Sequence, residues 1–247
     1  MDKEALKKQI CELIDNYIDE ASGKDVNEKK RLLDTSAYFD EQRTACEEAF
    51  LSILDEEKYD DAFIGYNVTL YNSVVKRYIP FTIVDVNHDG NFEHKYAEHD
   101  YYDLISKEAF HLTNFGENNN YRDSNIREWL NNVFINGFNY DIIKRLCFFE
   151  YYDYDNCTVY GDKVIIPSAE ELGLLSNIHS HNDKWYKLFS SKDKIRKEHI
   201  IIPRSVYYWT RTTDPNELDG VISINDQGNV TSINYHDSAY VVPMIRL

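Results

Sequence analysis

The sequence has few glycines and cysteines and lacks the spacings that usually carry nucleotide or redox chemistry. Only nine glycines occur in 247 residues, and they form no Walker or Rossmann pattern. The four cysteines have no Cys-x-x-Cys spacing, which predicts reduced structural thiols, with a Cys11–Cys46 bridge as the alternative for that pair. Because no Gly-x-Ser-x-Gly element and no familiar Cys/His signature occurs, we predict that the protein is not an enzyme.

Long apolar runs and positive charge are also scarce. No run reaches the length of a transmembrane helix, and the first residues lack the apolar core of a secretory signal. The formal net charge is −16, from 27 basic and 43 acidic residues. A surface of this sign repels phosphate backbones and anionic lipids. We therefore expect a cytoplasmic protein that binds neither nucleic acid nor membrane.

The chain is rich in aromatic residues, with 20 tyrosines and 12 phenylalanines, enough for a sizeable core. Residues 1–60 differ from the remainder, because they carry half of the net charge and show helical apolar stripes, one of them over roughly 41–57. We predict a helical segment over 1–60. It is either an intramolecular cap or an element for docking on a protein partner or for self-association.

From residue 61 the pattern becomes typical of β structure. We predict strands over 63–75, 78–86, 101–106, 164–166, 206–212, 221–224, 230–233 and 239–247. Pro80 predicts that its strand is an edge or bulged strand, because proline cannot donate to a ladder. Ser168 and Glu171 have the spacing of a capping box at the start of a helix. Residues 177–199 show no strong period and predict a surface loop.

Residues 120–131 follow a loop rich in glycine and asparagine and predict a helix that ends near Gly137. Asp123 or Ser124 supplies the cap, since a short oxygen-bearing side chain accepts the free N–H groups of the first turn. One apolar stripe follows at a 3.6-residue period, formed by Ile126, Trp129, Leu130, Val133 and Phe134.

Several short motifs occur in a fixed order from about residue 63 to residue 247. The central one is N-Y-x-x-S-x-I-R-x-W-L-N, and W-x-R-[ST] follows at 209–212. Their fixed positions are Tyr121, Ser124, Ile126, Arg127, Trp129, Leu130, Asn131, Trp209 and Arg211. In this order the motifs resemble those of a family of uncharacterised bacterial and phage domains. For Arg127 and Arg211 we predict ion pairs that tie helix to sheet, with acids near Glu128 or with Asp219, and ligand binding is the alternative.

That family is similar to the C-type-lectin-like superfamily, whose broader relatives include formylglycine-generating enzymes. The resemblance implies an α+β domain over 61–247, with a twisted antiparallel sheet, one or two packed helices and long loops. Where the family carries an arginine just before the closing proline, this chain has Val242, and Arg246 comes later. A structural ion pair is therefore absent or displaced here.

Two kinds of site are predicted. Asp85, Asn87 and Asp89 begin a calcium-loop pattern, but its twelfth position is Tyr96 instead of an acid, so an ordinary turn without any cofactor is the alternative. Large aromatic residues in loop-like surroundings predict a ligand-binding face, with core packing as the alternative. This set is Tyr151, Tyr152, Tyr154, Tyr160, Trp185 and Tyr186. Tyr207 and Trp209 share one face of a strand, which predicts that both lie in the core.

The function that these features favour is a non-enzymatic binding or recognition module displayed on a larger assembly, such as a phage or phage-like particle. The alternatives are a structural or accessory subunit of that assembly, or an enzyme of the formylglycine-generating-like superfamily. Buried polar groups clustered in one cleft would favour the enzyme. A helical segment that packs within its own chain would favour a monomeric binder.

Overall fold

Every second side chain of the strand at 67–72 points inward, which is the period of a half-buried strand. A computed structural model describes residues 35–55, 59–87, 100–153, 158–174, 185–190 and 206–247, with side chains from residue 43 onward except at 151–153, 158–160 and 190. Within these ranges the protein is a mixed α+β structure with few helices and mostly antiparallel sheets. No helix in this part of the chain combines the length and the apolar character needed to cross a bilayer.

The described residues form four α-helices and twelve strands. The helices are α1 Thr35–Asp55, α2 Asn125–Asn132, α3 Tyr140–Arg145 and α4 Lys187–Ser190. The strands are β1 Asn67–Asn72, β2 Arg77–Val86, β3 Tyr102–Ser106, β4 Phe110–Asn114, β5 Phe149–Asp153, β6 Thr158–Asp162, β7 Val164–Ile165, β8 Tyr208–Thr213, β9 Gly220–Ile224, β10 Val230–Asn234, β11 Ser238–Val241 and β12 Met244–Arg246.

Two five-stranded sheets and one hairpin contain these strands. The first sheet has the order β1-β2-β3-β12-β7, the second has the order β10-β9-β8-β11-β4, and β5 pairs with β6. Among these pairings, β11 with β8 is parallel and the others are antiparallel. One apolar core joins side chains from both sheets, from α2 and from the second half of α1.

The end of the chain connects the two sheets. We predicted one strand over 239–247, and this is wrong, because β11 belongs to the second sheet and β12 to the first. The break falls at Val242 and Pro243, where proline has no N–H to donate to a ladder. The Pro243 carbonyl instead accepts the N–H of Ser106 at 2.9 Å. The last residues therefore hold both sheets in a fixed relation.

The strand that contains Pro80 was predicted to be an edge or bulged strand, and the edge alternative is wrong while an irregularity is found. β2 lies between β1 and β3, and its register shift falls between Ile83 and Asp85 and not at the proline. The pairing of β2 with β3 begins at Phe81 opposite Ser106. Pro80 lies just before that point, so its missing N–H costs no bond to β3.

The central helix forms as predicted at its start and is shorter at its end. Ser124, and not Asp123, is the cap: its Oγ accepts the Arg127 N–H at 3.1 Å and donates to the Tyr121 carbonyl at 2.7 Å. The α-helix ends at Asn132, and a 3-10 turn, Phe134–Gly137, continues to the predicted end point. Ile126, Leu130 and Phe134 are fully buried, so this part of the predicted stripe faces the core, whereas Trp129 is partly buried and Val133 is exposed.

The second half of α1 packs on the domain that follows it. Phe50 and Leu54 belong to the shared core. Glu47 accepts two hydrogen bonds, from the Tyr71 N–H at 2.8 Å and from Asn139 Nδ2 at 2.6 Å. Burial raises the pKa of Glu47, and these two hydrogen bonds lower it only in part. From residue 43 to Asp55, α1 therefore packs within its own chain, and residues 1–34 and 56–58 lie outside the described residues, so the choice between cap and docking element for 1–60 stays a prediction.

Candidate binding surface

Three of the predicted loop tyrosines lie on a β-hairpin. Tyr151 pairs with Tyr160, and Tyr152 pairs with Val159, in the β5–β6 register. The prediction of loop surroundings is therefore wrong for these three residues. Their side chains, and all of Tyr154, lie outside the described residues, so their binding role stays a prediction.

Tyr186 is part of the core, which corrects its predicted place on a binding face. It is fully buried, and the neighbouring Leu188 and Phe189 are buried with it, while Trp185 is half-buried. The Lys187 N–H donates to Asp85 Oδ2 at 3.0 Å and ties this segment to β2. The buried side chains on both sides of Lys187, namely Tyr186 and Leu188, hold this segment against the core.

The predicted calcium residues hold segments of the chain together. Buried Asp85 accepts the Val86 N–H on Oδ1 at 2.7 Å, in addition to the bond from Lys187. Asn87 accepts the Tyr101 N–H at 2.8 Å, and Asp89 lies outside the described residues. Within the described ranges, no group of three or more His, Cys, Asp or Glu side chains is placed to hold a metal ion.

The two motif arginines form ion pairs, with partners that we did not predict. Arg127 binds Asp162 through two bonds, Nε to Oδ2 at 2.7 Å and Nη2 to Oδ1 at 3.0 Å, and so ties α2 to β6. Arg211 pairs with Glu171 and not with Asp219. The forked contact of Arg127 fixes geometry as well as charge. Each arginine therefore joins two separate segments of the domain.

Ser168 and Glu171 make the reciprocal bonds of a capping box without starting a helix. The Ser168 N–H donates to Glu171 Oε2 at 2.8 Å, and the Glu171 N–H donates to Ser168 Oγ at 3.0 Å. The segment is instead a turn, which closes at Gly173 with φ of +65°. The helix predicted here is wrong. The backbone forms a turn instead, and Glu171 of this turn pairs with Arg211.

The side chain of Asn131, in the central motif, bonds the backbone of β7 in the way that a neighbouring strand would. Asn131 donates from Nδ2 to the Val164 carbonyl at 2.9 Å and accepts the Val164 N–H at 3.3 Å. β7 is the last strand of its sheet, so this side chain satisfies a backbone edge. Trp209 is fully buried and donates from Nε1 to the Thr113 carbonyl at 2.9 Å, whereas Tyr207 is exposed, which corrects its predicted burial.

Arg246, which follows the closing proline, forms a buried ion pair with Asp103. Nε and Nη2 of Arg246 lie 2.7 and 3.0 Å from the two carboxylate oxygens of Asp103. The guanidinium also lies 3.9 Å from the ring centre of Tyr101 and 4.5 Å from that of Phe149. Burial by itself lowers the pKa of Arg246, but the charge and hydrogen bonds of Asp103 raise it above its ordinary value.

Tyr186 lies within the electrostatic reach of both buried pairs. Its burial raises its pKa strongly, and the charges of Glu171 and Asp103 raise it further. This is the kind of buried polar cluster that an enzymatic role requires. Each arginine in the cluster is nevertheless matched by a carboxylate, an arrangement that fixes strands and turns in place.

An aromatic pair that is partly exposed lies where α2 meets β4. The imidazole of His111 stacks on Trp129 with ring centres 4.5 Å apart and planes 8° apart. His111 has a left-handed backbone, φ +47°, at the register shift between the pairs Phe110–Val241 and Thr113–Ala239. Such a conformation costs a non-glycine residue about 1–3 kcal/mol and persists only where its surroundings impose it. Burial against its neighbours lowers the pKa of His111.

Two exposed aliphatic side chains accompany this pair. Leu112 follows His111 and is 56% exposed, and Val133 follows Trp129 by one helical turn and is 43% exposed. Trp129 also packs on the buried Phe134 ring at 5.2 Å, which anchors the surface to the core. We call these four residues, His111, Leu112, Trp129 and Val133, the His111 platform.

Little in the sequence predicted the His111 platform. Trp129 was predicted as a core anchor, and it is only partly buried. His111, Leu112 and all of β4 were not predicted. A left-handed histidine has no signature in apolar periodicity, because the bulge that imposes it forms with β11, more than a hundred residues later.

Comparison with known proteins gives a family and no activity. The family model described as "Domain of unknown function (DUF6273)" matches residues 83–247. No curated protein and no solved structure matches the chain. The matched range includes α2, both motif arginines and the His111 platform.

Proposed function

We propose that this chain, which belongs to the DUF6273 family, is a non-enzymatic recognition module that binds a protein partner through the His111 platform. The observation that carries the proposal is the left-handed, exposed His111 stacked on Trp129. A strained backbone conformation at an exposed aromatic surface is the kind of outlier from which a binding role is reasonably inferred.

The chemistry of the platform suits the apolar side chains of a protein. Aromatic residues dominate the energetics of protein interfaces, and exposed apolar groups surrounded by polar ones mark contact surfaces. The stack on Trp129 fixes the imidazole before any partner arrives, and this reduces the ordering cost of binding. Leu112, the residue after His111, and Val133, four residues after Trp129, add exposed aliphatic area.

We further propose that the fold is C-type-lectin-like. The antiparallel sheets, the few helices and the structural positions of Arg127, Asn131 and Trp209 support this assignment. The docked half of α1 favours a monomeric binder. We assign to the residues before 43 the attachment to a second copy or to a larger intracellular assembly, such as a phage-like particle.

A peptide selection tests the proposed surface. The full chain is used to select binders from a random twelve-residue peptide library, and dissociation constants are measured for the unchanged chain, Leu112→Glu and Leu218→Glu. Leu218 is the matched control, because it is an exposed leucine that does not belong to the platform. We expect Leu112→Glu to weaken binding at least tenfold and Leu218→Glu to leave it unchanged. Equal effects of the two substitutions, or no selected binder, would count against the platform.

A further inference from the structure

Strand β10 ends the second sheet with one side of its backbone uncovered. In the part of the chain that the structure describes, β9 is its only strand neighbour. Its residues, Val230–Asn234, are all at least partly exposed. An uncovered edge presents unpaired N–H and C=O groups that pair readily with another chain. β4 lies at the opposite edge of the same sheet, about 19 Å away at the usual strand spacing, so β10 is separate from the His111 platform.

In the described residues, the three other edges of the two five-stranded sheets, β1, β7 and β4, are covered or distorted. Glu47 accepts the backbone N–H of Tyr71 on β1, and Asn131 bonds both backbone groups of Val164 on β7. The left-handed His111 disturbs β4. β10 carries none of the usual protections of an edge, since Val-Thr-Ser-Ile-Asn contains no lysine, no proline and no charge.

The register shows which backbone groups of β10 face outward. The Tyr235 N–H donates to Asp219 at 3.0 Å, and the Asn225 N–H donates to Asn229 at 2.9 Å. Antiparallel pairs alternate between bonded and non-bonded positions, so Thr231 and Ile233 direct their backbone groups to β9. Val230 and Ser232 therefore direct their N–H and C=O groups away from the sheet.

The charge around β10 determines what kind of strand fits this edge. Residues 212–245 contain no lysine or arginine and five acids, namely Asp214, Glu217, Asp219, Asp226 and Asp237. Glu217 reaches the strand itself, with Oε2 3.1 Å from Ser232 Oγ. Pairing two copies of this edge would bring together like charges on chains that each carry −16. A strand that bears positive charge is attracted instead.

We propose that the free edge of β10 binds an extended, lysine- or arginine-bearing segment of a partner protein by β-strand addition. The backbone groups of Val230 and Ser232 supply the main-chain hydrogen bonds. The surrounding acids select basic side chains and speed the encounter. This surface operates whether or not the His111 platform binds a partner.

The test uses the full chain and three synthetic peptides of eight residues. The first alternates lysine and valine, the second is the same peptide N-methylated on alternate amides, and the third alternates glutamate and valine. Dissociation constants are measured by fluorescence anisotropy for the unchanged chain, Ser232→Pro and Ser232→Ala. Proline removes the outward N–H, whereas alanine keeps it and removes only the hydroxyl.

We expect the lysine–valine peptide to bind the unchanged chain and Ser232→Ala equally. Ser232→Pro and N-methylation should each weaken binding at least tenfold, and the glutamate–valine peptide should not bind. The N-methylated peptide keeps the test valid if the proline variant fails to fold. Equal binding of the methylated peptide, no binding of the lysine–valine peptide, or a dimer that Ser232→Pro abolishes would overturn the proposal. Leu112→Glu should leave this binding unchanged, which separates it from the platform.

Discussion

Replacing Arg246 by methionine should destabilise the fold more than any surface charge substitution. Asp103 is fully buried, and Arg246 supplies its two forked hydrogen bonds. Methionine occupies similar space but leaves the carboxylate buried without its counter-charge. Breaking a buried pair in this way costs about 3–5 kcal/mol, a large share of the about 5–15 kcal/mol that stabilises a typical domain.

The assay is urea unfolding followed by tryptophan fluorescence, with three comparisons. Arg77→Met is the control, because its pair with Glu108 is half exposed and should contribute no more than about 1 kcal/mol. The double variant Asp103→Leu/Arg246→Met removes both charges and should recover much of the lost free energy of unfolding. A loss below about 1 kcal/mol for Arg246→Met would show that Asp103 does not depend on Arg246 as its counter-charge. A double variant less stable than Arg246→Met would show the same.

Three further predictions concern single side chains. Ser124→Ala removes the cap of α2 and should lower the free energy of unfolding by about 1 kcal/mol in urea, while Ser124→Thr should retain most of it. Because the pKa of His111 is lowered, acidification from about pH 7 to about pH 5 should destabilise the unchanged chain more than His111→Gln in thermal unfolding. Because the pKa of Glu47 is raised, stability should rise as the pH falls through that pKa toward 4.5, and Glu47→Gln should lack this gain.

Local patterns in the sequence predicted the elements that local forces determine. The cap at Ser124 and the stripe through Ile126 and Leu130 follow from the spacing of a few residues, and both are found. The strands β3, β7, β9 and β10 lie within two residues of their predicted bounds for the same reason. Pro243 was visible as well, but its effect was missed, since only the pairing partners show that β11 and β12 belong to different sheets.

Contacts between distant parts of the chain determine what the sequence could not predict. Asp162 and Glu171 are two among many acids, and nothing in their neighbourhood marks them as partners of Arg127 and Arg211. In the sequence, Tyr186 resembles a surface residue in a polar segment. Only the fold brings it near the Arg211–Glu171 and Arg246–Asp103 pairs. The tyrosines at 151–160 suggested a loop because polar and acidic residues interrupt the strand alternation there.

A nitrogen–proton spectrum of the full chain, recorded with and without a selected peptide, shows whether the peptide binds at the His111 platform. The three tryptophans give separate indole N–H signals, and only Trp129 belongs to the platform. If the peptide binds at the platform, we expect it to shift the Trp129 indole signal and the His111 signals, while the signal of buried Trp209 stays in place. A peptide that binds tightly and leaves the Trp129 and His111 signals unchanged would contradict binding at the platform.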